Sequence, residues 1–380
     1  TAAQTREWWE GLSPAERESV IAAYPEVIGS ADGLPAGARD QANRILLEDD
    51  LSRLQAKATD GTITSEERQV LTNAQRTQQA LGNVDSYTDP ITGEKPGGQL
   101  WMYDPDADGG DGRVAIAVGD LDAADDVSLQ VPGITTEQAD IVNYSGEATN
   151  LYESARYNGD GSSVATMFWL GYNTPEGAVD WDTMTRGRAE EGGELLANDV
   201  AGLRASRPDD RAHMTVIGHS YGSTTTSFAA TREGLDADDI ALIGSPGAGP
   251  AEDASDFSVG SDHLYVGRNS EDFVGVLGDE GLVSTPGGLG KDPSTDDFGA
   301  NRFQAESTDR NGVRDIANHS RYYDPDSESL YNLGRIVDGQ PAQVVGAEHT
   351  YDPFLRPPQD PEADRDVSSD LPGRSDTTAR

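Results

Sequence analysis

The sequence predicts an α/β architecture: a mostly parallel eight-stranded sheet with helices on both faces, preceded by a small N-terminal helical domain. Three observations carry that expectation. From about residue 99, short β-forming runs alternate with helix-compatible stretches, the pattern of a sheet covered by helices. The first two runs flank a turn-rich segment, so the sheet opens as a hairpin before it becomes parallel. The fifth run, Met214 to Ile217, passes through Gly218-His219-Ser220-Tyr221-Gly222 into a helix-compatible stretch from Ser223 to Arg232.

Residues 1–82 read as helical. Ser13-Pro14-Ala15-Glu16 is a capping box with Pro at the first helical position, and its helix ends near Tyr24-Pro25. Apolar residues at Ala42, Ile45, Leu46, Leu51 and Leu54 have helical spacing from Arg39 to Lys57, and Thr64-Ser65-Glu66-Glu67 opens a third helix. Trp8, Trp9, Val20, Ile21, Ile45, Leu47, Leu51, Val70 and Leu71 are expected to pack together and against the later domain. Residues 83–98 read as a linker rich in Gly, Pro, Asp and Thr.

Residues 99–349 form the predicted catalytic domain. Its strands are Leu100–Tyr103, Arg113–Val118, Val127–Val131, Val164–Leu170, Met214–Ile217, Ile240–Ile243, His263–Val266 and Arg302–Ala305. Helices are expected at Thr136–Ala155, Glu190–Ala205, Ser223–Arg232 and Ser327–Val337. The aspartates between Asp104 and Gly112 are spaced like a calcium loop, but Ala115 stands where a bidentate Glu belongs, so a hairpin turn is preferred. From residue 350 the chain is Pro-, Asp- and Arg-rich and reads as a disordered acidic tail.

Gly218 to Gly222 has the spacing of a nucleophile elbow, in which a serine sits on a tight strand-to-helix turn with its Oγ exposed. Glycines at the flanks let strand and helix approach, and the helix N-terminus offers backbone N–H groups to a developing oxyanion. With the serine after the fifth of eight strands, residues 99 to about 340 resemble the α/β-hydrolase fold. Within it, the chain resembles a mainly actinobacterial family catalogued as a domain of unknown function. The resemblance rests on Trp8-Trp9-x-Gly11-Leu12, Ile28-Gly29, Asp32-Gly33-x-Pro35, Arg39-Asp40-x-Ala42-Asn43-Arg44 and Val131-Pro132-Gly133. It continues through Trp169-Leu170-Gly171-Tyr172, the elbow, Gly244-Ser245-Pro246-Gly247, His319-Ser320-x-Tyr322 and Ser327-x-Ser329-Leu330-x-Asn332.

The fold implies a triad in the order serine, acid, histidine. Asp272, after the His263–Val266 strand, is the expected acid and Glu271 its rival; the family resemblance also points to Asp272. Among five histidines, His319 lies in a loop after the last strand and before the closing helix, the place of the base. The oxyanion donors expected are the N–H of Tyr221 and one from Gly133 or Ile134. Tyr172, Asn173 and Phe273 are expected to line the substrate pocket, with Trp169 and Tyr221 as further apolar candidates.

Composition narrows the rest. With 28 basic against 68 acidic residues the formal charge is −40, which repels nucleic acid and anionic membranes. Lysine occurs only at 57, 95 and 291, a bias that fits either a GC-rich genome or a salt-adapted surface. No cysteine is present, so disulfides, thiolate metal sites and a cysteine nucleophile are excluded. No cofactor is implied. No apolar run has transmembrane length and no signal peptide is visible, which leaves the location, secreted or cytoplasmic, unassigned; oligomeric state is undetermined.

The expected partner is a small-molecule or lipid-like ester, hydrolysed through an acyl-enzyme on Ser220. A thioesterase, peptidase or acyltransferase would use the same residues, and a partner-dependent scaffold is the non-enzymatic alternative. Residues 1–82 and the Gly-rich stretch Val274–Gly299 are both candidates for a wall over the site. A phosphate-binding role for Gly287-Gly288-Leu289-Gly290 is disfavoured, because no Lys-Ser/Thr follows.

Overall fold

The computed structural model describes residues 1–157, 159–176, 186–276, 288–310, 316–349 and 360–367. The expected strands form one sheet: β1 (Gly98–Asp104), β2 (Arg113–Val118), β3 (Asp126–Val131), β4 (Val164–Leu170), β5 (His213–His219), β6 (Asp239–Ile243), β7 (Leu264–Gly267) and β8 (Asn301–Phe303). Their spatial order is β1-β2-β4-β3-β5-β6-β7-β8. Pairings β1–β2 and β2–β4 are antiparallel and every later one is parallel. Alternation along the strands divides the core between two faces. Val127, Leu129, Val131, Val216 and Leu242 point into one apolar cluster with α7 (Arg186–Ser206) and α8 (Tyr221–Arg232). Ile116, Phe168, Ile217, Ala241 and Ile243 point into the other, with α6 (Ile141–Tyr157) and α9 (Glu328–Val337).

The N-terminal region contains α1 (Ala2–Glu10), α2 (Pro14–Ala23), α3 (Pro25–Ser30), α4 (Ala36–Thr59) and α5 (Ser65–Ser86). Trp9, Ile21, Ile28, Leu34, Ala38 and Ala42 make a small apolar cluster of their own, whereas Leu47, Leu51, Ala74, Leu81 and Val84 join the sheet's core. Two expected core residues turn outward. Trp8 is 45% and Ile45 38% exposed, because successive helical positions are about 100° apart and Trp9 and Leu47 take the inward places.

Side chains of α4 satisfy backbone groups on the outer edge of β1. Asp40 Oδ1 accepts from Leu100 N at 2.7 Å, Asn43 Nδ2 donates to Leu100 O at 2.9 Å, Arg39 Nε to Trp101 O at 3.0 Å, and Arg44 to Gly98 O at 2.8 Å. The buried Arg39 guanidinium also lies 3.6 Å from the centre of the Trp101 ring. Burial lowers its pKa to about 10, against the nearby Asp199 and Asp32 charges that favour the cation. In the β1–β2 connection, Arg113 is paired with Asp108 at 2.7 and 2.9 Å, and a 3₁₀ turn runs Ala107–Gly110.

Most of the expected disordered tail lies outside the described residues, as do 277–287 of the Gly-rich stretch. Residues 360–367 depart from the expectation. Asp360 is buried, 2.6 Å from Arg302 and 3.6 Å from Arg268, while Arg365 pairs with Glu328 and Glu362. Two buried guanidinium groups require a buried carboxylate, and composition alone does not reveal where it comes from. Among the described residues, no helix is long and apolar enough to cross a membrane.

At the opposite end of the strands from Ser220, His213 Nε2 lies 2.7 Å from Asp239 and Nδ1 3.2 Å from Asp126. Burial acts to lower its pKa, but the two carboxylates overcome this and raise it to about 10. A histidine whose folded pKa exceeds its unfolded value stabilises fully below about pH 6.5 and loses that contribution as pH rises through about 10. Urea unfolding between pH 6.5 and 10 should show a loss on the order of 1–3 kcal/mol that is absent in His213→Gln. The buried Asn43→Leu leaves the Leu100 carbonyl unpaired and should destabilise by about 2–3 kcal/mol in the same measurement.

Candidate active site

Strand β5 ends at His219 and α8 begins at Tyr221, so one residue, Ser220, makes the whole turn. Its backbone sits at φ 56°, ψ −130°, a region that L-residues avoid. Such conformations cost roughly 1–3 kcal/mol and persist only where the surroundings enforce them. Here Ser220 N donates to Ile243 O on the neighbouring β6 at 3.0 Å. Close approach enforces the rest. A Cβ on Gly222 would lie 2.2 Å from Val131 O, and one on Gly218 2.6 Å from Gly222 O. The helix can therefore start directly above the end of β3 only because these positions are glycine.

Helix α8 is buried despite its run of small hydroxyl residues from Ser223 to Ser227. Ser227 Oγ donates to Ser223 O at 2.7 Å and Thr225 Oγ1 to Tyr221 O at 3.3 Å, so the helix's own carbonyls serve these hydroxyls. Thr224 Oγ1 donates to Gly247 O at 2.8 Å, tying α8 to the loop after β6.

The loop after β7 carries Asp272, which is fully buried, and the loop after β8 carries His319. His319 Nδ1 donates to Asp272 Oδ2 at 2.8 Å. Glu271 is tied differently: its N–H donates to Asn269 Oδ1 and its carbonyl accepts from Asn318 Nδ2, each at 3.0 Å. Burial acts to raise the Asp272 pKa. The His319 ring, the Tyr322 hydroxyl and the Val274 N–H outweigh it and hold the carboxyl below its ordinary value, hence ionised. Among the described residues, His319 Nε2 is buried without a hydrogen-bond partner. In the tautomer with the proton on Nδ1, Nε2 carries an accepting lone pair.

The loop after β3 reaches Ser220 from the other side. A Cβ on Gly133 would lie 2.7 Å from Ser220 Cβ and 2.9 Å from its Oγ. Two residues on, Thr135 holds φ 57°, strained for a β-branched residue. The loop after β4 braces it. Tyr172 OH donates to Pro132 O at 2.6 Å, Thr135 N to Pro175 O at 2.9 Å, and Thr174 Oγ1 to Thr136 O at 3.1 Å. Tyr172 is thus buried with its hydroxyl on the backbone, stacked on Trp169, whose indole N–H reaches Asp199 at 2.7 Å. Both rings, with the buried Tyr221, are core rather than exposed pocket wall. Ile134 packs half-buried on the same core, Asn173 is half-buried, and Phe273 is largely exposed beside Asp272.

A family model described as "Alpha/beta hydrolase" matches residues 106–279. An uncharacterized protein of Mycobacterium bovis, Mb0988c, is 34% identical over 188 residues, covering 47% of this chain and 68% of that protein. The chain belongs to the α/β-hydrolase superfamily. The uncharacterized protein Rv2079 of Mycobacterium tuberculosis is 33% identical over 371 residues, 89% of this chain and 56% of that protein. The chain thus spans little more than half the length of that relative. Among solved structures, a thermostable carboxyl esterase from Bacillus coagulans in complex with glycerol has 17% identity and a TM-score of 0.25, covering 40% of this chain and 45% of its own. The esterase Est22 has 15% identity and a TM-score of 0.27, covering 56% and 77%.

Two residues beside this candidate site are not singled out by the sequence. His219, inside the elbow, donates its Nε2–H to the His319 carbonyl at 2.9 Å, and its ring lies 4.8 Å from the His319 ring. Burial, reinforced by the neighbouring His319, lowers the His219 pKa to about 3 and keeps it neutral. Tyr322 donates its hydroxyl to Asp272 Oδ2 at 2.7 Å. Adjacency to the elbow and the His319-Ser320-x-Tyr322 spacing were the available signals, but neither reveals a partner. Gly133→Ala, which forces a methyl against Ser220, should cost about 1–3 kcal/mol in chemical unfolding.

Proposed function

We propose that this chain is a serine hydrolase that cleaves carboxylic esters through an acyl-enzyme on Ser220. The observation that carries the reading is the 2.8 Å bond from His319 Nδ1 to the buried Asp272, with the His319 ring 4.8 Å from that of His219, the residue just before a serine held on a strained strand-to-helix turn. In this reading Ser220 Oγ attacks the ester carbonyl carbon while His319 Nε2 takes its proton. Asp272 fixes the imidazole tautomer and stabilises the imidazolium. The carbonyl oxygen becomes an oxyanion between the N–H of Tyr221, in the first turn of α8, and an N–H of the Gly133–Ile134 loop. Collapse of the tetrahedral intermediate expels the alkoxide, which takes the proton back from His319. Water, deprotonated by the same imidazole, then releases the acid and restores Ser220. The half-buried and exposed apolar groups Ile134 and Phe273 are candidate acyl contacts.

A fluorophosphonate probe should label the wild type, with the adduct on Ser220, and should leave Ser220→Ala unlabelled. Turnover of a p-nitrophenyl ester by that variant should fall by roughly 10³–10⁶. Absence of labelling in the wild type, or equal labelling of both proteins, overturns the reading. A parallel panel of alkyl esters, acyl thioesters and peptides separates an esterase from other acyl-transfer enzymes with the same residues.

A further inference from the structure

Tyr322 lies three residues beyond His319, buried beneath the loop that carries the acid. Its hydroxyl accepts the N–H of Asn269 at 3.0 Å and contacts Asp272 Oδ2 at 2.7 Å. The direction of both bonds is fixed by chemistry. A backbone N–H can only donate, so the phenolic proton must point at the carboxylate.

We propose, resting on the serine-hydrolase reading, that Tyr322 is a positioning residue that clamps the Asp272 carboxylate and shares its charge, thereby setting how readily His319 takes a proton. Oδ2 of Asp272 receives two donors, the His319 ring at 2.8 Å and the Tyr322 hydroxyl at 2.7 Å, while Oδ1 receives the Val274 N–H at 2.8 Å. The carboxylate is therefore held at both oxygens and cannot rotate away from the imidazole without breaking a bond. Charge drawn toward the phenol is charge withheld from the imidazolium, so the tyrosine opposes protonation of His319 at rest.

The ring itself has little room to move. A Cβ on Gly244 would lie 2.8 Å from Tyr322 Cε2 and 2.9 Å from His319 Cε1, so the same glycine seats both side chains. The Tyr322 ring stands edge-on to His319 at 6.4 Å and 5.6 Å from His219. Among the described residues, the other titratable groups around the pair are these. His219 from β5 is held neutral. Glu306, from the segment after β8, is paired with Arg310 at 2.8 Å and accepts the Ser270 N–H at 2.7 Å. Glu271 adjoins the acid in sequence, and the Tyr323 ring faces His219 at 6.4 Å. None of these makes a hydrogen bond to Asp272 among the described contacts, which leaves Tyr322 as the side chain besides His319 that does.

The test is Tyr322→Phe, read in two ways. The first is NMR titration of the His319 imidazole, assigned with His319→Gln. The second is the pH dependence of kcat/KM for an aryl ester. Removing the hydroxyl should move the His319 midpoint, and with it the acid limb of the profile, upward by roughly 0.5–1 pH unit. Plateau kcat should fall roughly three- to tenfold with KM unchanged. An unmoved midpoint overturns the proposal, whatever happens to the plateau. The NMR readout does not depend on activity, so an unreactive wild type would sink the serine-hydrolase reading while the titration still decides the role of Tyr322. Should Tyr322→Phe fail to fold, difluorotyrosine at position 322 supplies a stronger donor of nearly the same shape. It should move the midpoint downward, and no movement there likewise overturns the proposal.

Discussion

The site depends on how closely backbones pass one another beneath Ser220. Helix α8 starts against the carbonyls of Val131 and Pro132, the loop after β3 passes against Ser220, and the loop after β6 passes against the rings of His319 and Tyr322. At Gly222, Gly133 and Gly244 a single methyl would lie 2.2, 2.7 and 2.8 Å from its nearest neighbour, well inside van der Waals contact. Gly222 and Gly133 seat α8 and the loop after β3 around Ser220, and Gly244 seats the rings of His319 and Tyr322. Groups fixed by such packing need not reorganise when charge develops, which is the condition under which backbone donors stabilise an oxyanion most effectively.

A second layer of buried polar contacts holds that geometry in place. Tyr172 fastens the carbonyl of Pro132, His219 that of His319, and Asn318 that of Glu271. Each contact uses a neutral donor on a backbone acceptor, so the surroundings of the site are ordered without adding charge. Arg268 and Arg302 meet Asp292 and Asp360 in buried ion pairs of their own.

The fold was largely legible because its strands are short, apolar and separated by turn residues, and because β5 and α8 flank a motif with a steric rationale. The approach of Asp272 to His319 followed from strand counting and the family resemblance. What could not be read depends on partners distant in sequence. Tyr172 looked like a pocket residue because it follows β4, but its partner is a carbonyl 40 residues earlier. His219 looked incidental inside the elbow, and its partner lies 100 residues later. Trp8 and Trp9 looked equivalent, and helical geometry lets only one face the core. Asp360 lies in a stretch whose composition suggests disorder, and only the two buried arginines explain its burial. Local pattern reports which face is apolar; it does not report which buried polar groups meet.

The α4 side chains on β1 have a consequence for how copies of this molecule can meet. An edge strand offers unpaired N–H and C=O groups to any passing chain. At this edge, Asp40, Asn43, Arg39 and Arg44 already occupy the positions another strand would use. The opposite edge is only three residues long, Asn301–Phe303, and pairs with the segment around Gly346 through Gln304 N to Val345 O and Ala347 N to Arg302 O, each at 2.9 Å. Growth of the sheet from one copy into the next is thereby blocked at both ends. What the described residues leave open to a second copy is helix and loop surface, and a formal charge of −40 makes any contact there sensitive to salt.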